Sequence, residues 1–177
     1  NDRSAGVKGQ WEGPDLRHFT PKLLSVTAEQ REDAVHLVTD VRLLPPNQRR
    51  GYDCRTEYLI LPTGAIAVSV GGEPIGQWGE QDILLRIGLD LTLPGEFERV
   101  SWYGLGPGES YPDTLEAQRM GLWYGDLDDL STPYVYPQEN GTRSHVRFVT
   151  LADHRGRGLI AVGAPELCFS ARRHSTE

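Results

Sequence analysis

Apolar and polar residues alternate along most of the chain with the two-residue period of strands that bury one face. The clearest case is 34–43, where Val35, Leu37, Thr39, Val41 and Leu43 share a face before Pro45-Pro46-Asn47 ends the strand. Leu23–Thr27 precedes it as a shorter strand. Tyr52–Leu61 and Ala65–Val70 follow, and Pro62-Thr63-Gly64 between them suits a hairpin turn in which glycine supplies the positive φ. Ile83–Leu93 alternates through Leu85, Ile87, Leu89 and Leu91, and Pro94-Gly95 turns the chain into Arg99–Tyr103. Arg143–Leu151, Gly158–Val162 and Leu167–Ala171 complete the predicted strands, and only Thr114–Met120 reads as helix, for about two turns. Residues 1–20 have no period. They read as a loop leading into the domain, anchored by Trp11 and Phe19. Many short strands separated by turns predict an all-β sandwich or barrel occupying 1–177 as a single domain.

Composition narrows the function. The chain has 177 residues with 18 basic and 25 acidic side chains, a net charge of -7, which argues against nucleic acid as a partner. Its two cysteines, Cys54 and Cys168, are too few for a disulfide framework or a structural zinc site. Apolar runs fall short of the roughly 18 residues of a membrane span, and no basic-then-apolar leader opens the chain. The expectation is a cytoplasmic domain with no membrane partner. The first residue, Asn1, and the last segment, Arg172–Glu177, lead us to expect both ends to be cut from a longer polypeptide.

Candidate chemistry is sparse. His18, His36, His145, His154 and His174 lack ligand spacing, so no metal site is expected. Asp126, Asp128 and Asp129 lack the glycine and terminal glutamate of a calcium loop and read as a solvated acidic turn. Gly104-Leu105-Gly106-Pro107-Gly108 is a poor phosphate cradle, because proline removes an amide. Neither cysteine has a catalytic partner, and Cys168 reads as a small buried hydrophobe. Glu109 and Glu139 lie in aromatic, polar turns. Two carboxylates about 5–5.5 Å apart would suit a retaining glycosidase, but spacing does not bring these together, and loop bracing is the better reading.

The loop segments carry more. Trp102-Tyr103-Gly104-Leu105-Gly106-Pro107-Gly108-Glu109-Ser110-Tyr111-Pro112-Asp113 resembles the W-x-G-x-G-P-x-E-N-Y-x-D segment of the large bacterial β-galactosidases of glycoside hydrolase family 2. Twenty residues on, Thr132-Pro133-Tyr134-Val135-Tyr136-Pro137-Gln138-Glu139-Asn140-Gly141-Thr142-Arg143 resembles their Y-x-x-P-x-E-N-G-x-R segment. Asn1-Asp2, with Trp11 after it, is similar to the family's approach to the same domain. Ser110 stands where asparagine is usual and Thr114 where arginine is common.

The resemblance implies the C-terminal small-chain domain, ending about two-thirds of the way through it, with the fold of an antiparallel β supersandwich like that of galactose mutarotase. It implies that the acid/base and nucleophilic glutamates, and the magnesium, belong to an upstream (β/α)₈ barrel, the expected partner. This segment would then hold no catalytic residue, no cofactor and no metal, and would meet galactosides only through the full enzyme. The motif residues Trp102, Gly104, Gly106, Pro107, Glu109, Tyr111, Asp113, Pro137, Glu139, Asn140, Gly141 and Arg143 would build rigid loops, the glycines by adopting angles closed to other residues, and Glu139 and Arg143 by bracing one another. Asn1, Asp2 and Arg3 would border the sugar site. Missing last strands would leave an open edge or face, near Ile83–Leu93 or Leu159–Val162, and favour a homodimer. Two other readings stand beside this one. A carbohydrate-binding module would expose aromatics, with Trp11, Trp78, Trp102 and Trp123 as candidates. A mutarotase-like enzyme would bring a histidine and a glutamate into one cleft.

Overall fold

A computed structural model describes residues 18–78, 87–135 and 140–174. It is all-β and antiparallel, as the alternation predicts, and the chain divides into two compact units at Gly88/Leu89. No helix among the described residues is long and apolar enough to cross a membrane.

The first unit is a four-stranded meander, β1 (Thr20–Arg31), β2 (Ala34–Leu44), β3 (Gly51–Ile60) and β4 (Ile66–Ile75), in that spatial order. Glu32 and Asp33 join β1 to β2, with Arg31 paired to Ala34 and Glu32 at φ 44°. The Pro62-Thr63-Gly64 turn forms as expected, with Gly64 at φ +86° donating its N–H to Leu61 O at 3.0 Å. The register places Leu37, Tyr58 and Val68 in one row and Thr39, Thr56 and Val70 in the next, all on the same face. Asp40, opposite Arg55, lies on the other face, where Ser25 Oγ and Arg55 reach its carboxylate at 2.6 and 3.1 Å. Arg42 grips Asp53 there with two 2.7 Å bonds.

The second unit is also a four-stranded sheet: β5 (Arg99–Gly106), β6 (Arg119–Asp126), β7 (Arg143–Ala152) and β8 (Gly158–Phe169), in the order β6-β5-β7-β8. Val100, Trp102, Val146 and Val149, with Leu130, form its buried core, and Trp123, Leu167 and Phe169 pack against them. The Trp102 and Phe169 rings meet edge to face at 5.8 Å.

Four expectations are corrected. Thr114–Met120 is not a two-turn helix: Leu115–Ala117 makes a single 3-10 turn, and Arg119 already opens β6. The pull comes from β5, because Met120 pairs with Leu105 and Gly121 with Gly104 in the ladder. The strand expected over Ile83–Leu93 lies partly outside the described residues; 87–93 is irregular, with Ile87 85% exposed. There the alternating residues have no described partner strand, and alternation alone does not make a ladder. Gly158–Val162 and Leu167–Ala171 are one strand, β8, rather than two. Cys168 is exposed, not buried, because Leu167 and Phe169 on either side of it turn inward toward the core.

Candidate functional site

The two motif segments converge on one knot of loops at the end of the β5–β8 sheet. β5 delivers the loop after Gly106, the 3-10 turn Leu127–Leu130 delivers the segment after it, and Asn140–Thr142 leads into β7. Glu109 is buried at 7% exposure, and its carboxylate accepts from Thr132 Oγ1 and the Gly141 N–H at 3.1 Å each, and from the Tyr134 hydroxyl. Arg143 is 3% exposed. Its guanidinium donates to the carbonyls of Leu130 at 2.6 Å, Gly141 at 2.7 Å and Pro107 at 3.0 Å, and lies 5.3 Å from the centre of the Trp102 ring. One peptide thus links the two charges. The N–H of Gly141 serves the carboxylate, and its carbonyl serves the guanidinium.

Electrostatics follow from this burial. Desolvation pushes the Arg143 guanidinium below its ordinary value, while the charge of Glu109, and then Tyr111, pulls it back up. The arginine is nonetheless held as a cation in a dry site, which needs the three carbonyls and the aromatic face around it.

The glycines are required for space. A Cβ on Gly104 would lie 2.7 Å from Val146 Cγ2, and one on Gly106 would lie 2.7 Å from the Trp123 ring. Neither has positive φ, so the expectation of special backbone angles is corrected to one of close approach. Gly141 stands at φ +82°, and a Cβ there would lie 2.8 Å from Leu130 O, so it needs both the angle and the space.

The other motif residues divide cleanly. Trp102 Nε1 donates to Leu105 O at 2.9 Å, which closes the β5 end on itself. Asn140 Oδ1 accepts from Thr132 N at 3.2 Å and Ser131 Oγ at 3.3 Å. The Tyr111 N–H reaches Thr114 Oγ1 at 3.0 Å, so the residue standing where arginine is common serves as a local loop brace. Ser110 accepts from Ser144, whose N–H reaches Ser110 Oγ at 2.7 Å and whose hydroxyl reaches Ser110 O at 2.9 Å, fastening this loop to β7. Asp113 is exposed and stands apart from the knot, and Pro107 contributes its carbonyl. Asn1, Asp2, Arg3, Pro137 and Glu139 lie outside the described residues, as does the expected Glu139–Arg143 brace. Thr132 and Tyr134 were missed as partners of Glu109; their place inside the second motif was the available signal.

Elsewhere chemistry is thin. No group of three or more histidines, cysteines or carboxylates suited to a metal ion occurs among the described residues. Asp129 Oδ2 accepts the Asp126 N–H at 3.1 Å and Asp128 pairs with Arg173 at 2.9 Å, so these acids brace a turn. Burial, with the nearby Asp53 charge, pushes the Cys54 thiol above its ordinary value, away from nucleophilic use. Trp102 is buried, Trp123 packs against the core, and Trp78 packs on Tyr52 at 4.9 Å, so these three tryptophans form no exposed platform; Trp11 lies outside the described residues. His145 and Glu166 do meet, at 3.0 Å, in an open depression shared with Arg147, Glu116 and Met120. Both are well exposed, and Glu166 also faces Arg147 at 3.6 Å, an arrangement of surface ion pairs.

The sequence profile of the family described as beta galactosidase small chain matches residues 1–177. A beta-galactosidase of Lactobacillus delbrueckii subsp. bulgaricus is 35% identical over 181 residues, covering 99% of this chain but 17% of the relative's own length.

Proposed function

The chain belongs to the beta galactosidase small chain family, and from that premise we propose that it is a non-catalytic domain of a larger enzyme. In this reading the enzyme is a glycoside hydrolase family 2 β-galactosidase that removes terminal β-D-galactosyl residues with retention. Its two working glutamates lie on a catalytic barrel elsewhere in the polypeptide. The domain shapes the sugar site and the assembly from outside, needs no cofactor of its own, and works in the cytoplasm.

One observation carries the non-catalytic part. Glu109, a carboxylate buried within the motif loops, has its oxygens taken up by three donors at 7% exposure. A general acid or nucleophile must present an oxygen to substrate in a cleft. Glu109 instead acts as a clamp, turned inward together with Arg143. A clamp of this kind ties three loops together through buried bonds, which suits a surface that supports a neighbouring active site. A binding module built on exposed tryptophans and a mutarotase-like enzyme have less behind them: Trp102 and Trp123 pack in or on the core, Trp78 packs on Tyr52, and His145 and Glu166 meet as exposed ion pairs.

The test is to delete this segment from the full polypeptide and supply it again in trans. Galactosidase activity should fall on deletion and return, at least in part, on addition of the chain. Full activity of the deleted enzyme would overturn the supporting role.

A further inference from the structure

The outward face of the β5–β8 sheet carries a depression whose cause is legible in the ladder. Ser101 sits opposite Tyr124 on one side and Thr150 on the other, so a row of short hydroxyl side chains runs across the sheet beside a tyrosine. Ser101 Oγ and Thr150 Oγ1 bond to each other at 2.5 Å and form the floor. The next row holds Tyr103 against Phe148, rings stacked at 6.3 Å, and the row on the other side holds Arg99 opposite Asp126. Taller rows on both sides of short ones leave a shallow hollow of about 410 Å³, lined by Tyr124, Arg99, Asp126 and Asp129 around the two hydroxyls. That volume lies within the roughly 300–1,000 Å³ of small-molecule sites.

The lining selects a ligand class. Tyr124 is 73% exposed, so an aromatic surface stands in water at the edge of the hollow. No described residue pairs with the Arg99 guanidinium, and Asp129 spends one oxygen on the Asp126 amide and keeps the other. Two carboxylates against one guanidinium disfavour an anion, and the open, half-polar lining disfavours a purely apolar guest. A pyranose ring fits both demands. Its C–H face covers an aromatic ring by dispersion and apolar burial, and its rim of hydroxyls meets carboxylate, guanidinium and hydroxyl groups, each with donors or acceptors to spare.

We propose that this hollow binds a neutral pyranoside, with Tyr124 as the stacking platform and Arg99, Asp126 and Asp129 reading its hydroxyls. The hollow shares no lining residue with the Glu109–Arg143 knot.

The test is titration of the ¹⁵N-labelled chain with methyl β-D-galactopyranoside and, separately, methyl β-D-glucopyranoside. Saturable shifts should appear at Ser101, Tyr124 and Thr150 with a Kd of roughly 1–10 mM for at least one sugar, as expected for a shallow site. Tyr124→Ala should weaken binding at least about tenfold, while Tyr124→Phe, which keeps the ring, should stay within about twofold. Because Tyr124 is exposed, both variants should keep the dispersed amide spectrum of the parent. Absence of saturable shifts with both sugars up to roughly 100 mM, or shifts mapping elsewhere, would overturn the proposal, as would binding undiminished in Tyr124→Ala.

Discussion

At the residue scale the loops of the β5–β8 unit are held by a buried carboxylate, Glu109, and a buried guanidinium, Arg143, that share a peptide between them. Removing either leaves the other charged and dry, a change that costs about 3–5 kcal/mol for buried pairs. Glu109→Ala and Arg143→Met should therefore each lower the denaturant midpoint by an amount equivalent to about 3 kcal/mol. Because Gly141 connects the two, the double variant should lose less than the sum, by about 1 kcal/mol or more. Strict additivity would show that the two charges are not coupled. Gly104→Ala should cost about 1–3 kcal/mol through overpacking, because the clash is with the Val146 backbone as well as its side chain. The sequence alone showed that these residues belong together, through their order within two motifs. It did not show how, since Glu109 and Gly141 are 32 positions apart and their bond depends on how three loops close. Glycine identity was legible too, but its reason was misread: whether a glycine serves an angle or a close approach is decided by what lies opposite, and Val146 and Trp123 are remote in the chain.

At the scale of elements, β2 and β3 were legible almost to their ends because their alternation is unbroken. β6 was not. In Arg119–Asp126 the core-facing positions include Gly121 and Gly125, which hide the period, while Met120, Leu122 and Tyr124 are exposed. The β7–β8 connection shows how a turn can be fastened by a single side chain. Asp153 is 1% exposed, accepts from the Arg155 and Arg157 amides at 2.8 and 2.9 Å, and from Arg157 Nε at 2.9 Å. Burial alone would raise its carboxyl, but the bonds from the Arg157 amide and guanidinium and from the Arg155 amide outweigh burial and hold it below its ordinary value near 3.8. A lowered carboxylate stabilises the fold above its unfolded value, and that contribution is lost as pH falls through the lower, folded value. Thermal melts of the parent should therefore fall steeply below about pH 4, whereas Asp153→Asn should be less stable at pH 7 and flatter in acid. Parallel pH profiles for the two would contradict the role of this turn.

At the scale of the whole molecule, each sheet presents an apolar face that its own unit leaves partly in water. On the β1–β4 sheet, Val26, Ile66, Val68 and Val70 are between 44% and 55% exposed, and β1 and β4 are edge strands. Contiguous apolar surface beside strands with no described neighbour on one side favours association. We expect the isolated chain to self-associate, with the weight-average mass rising over about a tenfold range of concentration and Val68→Lys suppressing the rise. A strictly monomeric chain would show that the face is covered or harmless. That the fold is all-β was legible from alternation and turns, and the family from two loop motifs. The placement of an edge or an open face was not, because it depends on which strands find partners, as the irregular 87–93 segment illustrates. We propose that this domain supports a galactosidase without performing its chemistry. The most direct measurement is the hydrolysis of a chromogenic β-galactoside by the purified 177-residue chain, assayed beside its Glu109→Gln variant. We predict no turnover above the uncatalysed rate in either sample, whereas turnover by the parent that survives purification and disappears on Glu109→Gln would contradict the account.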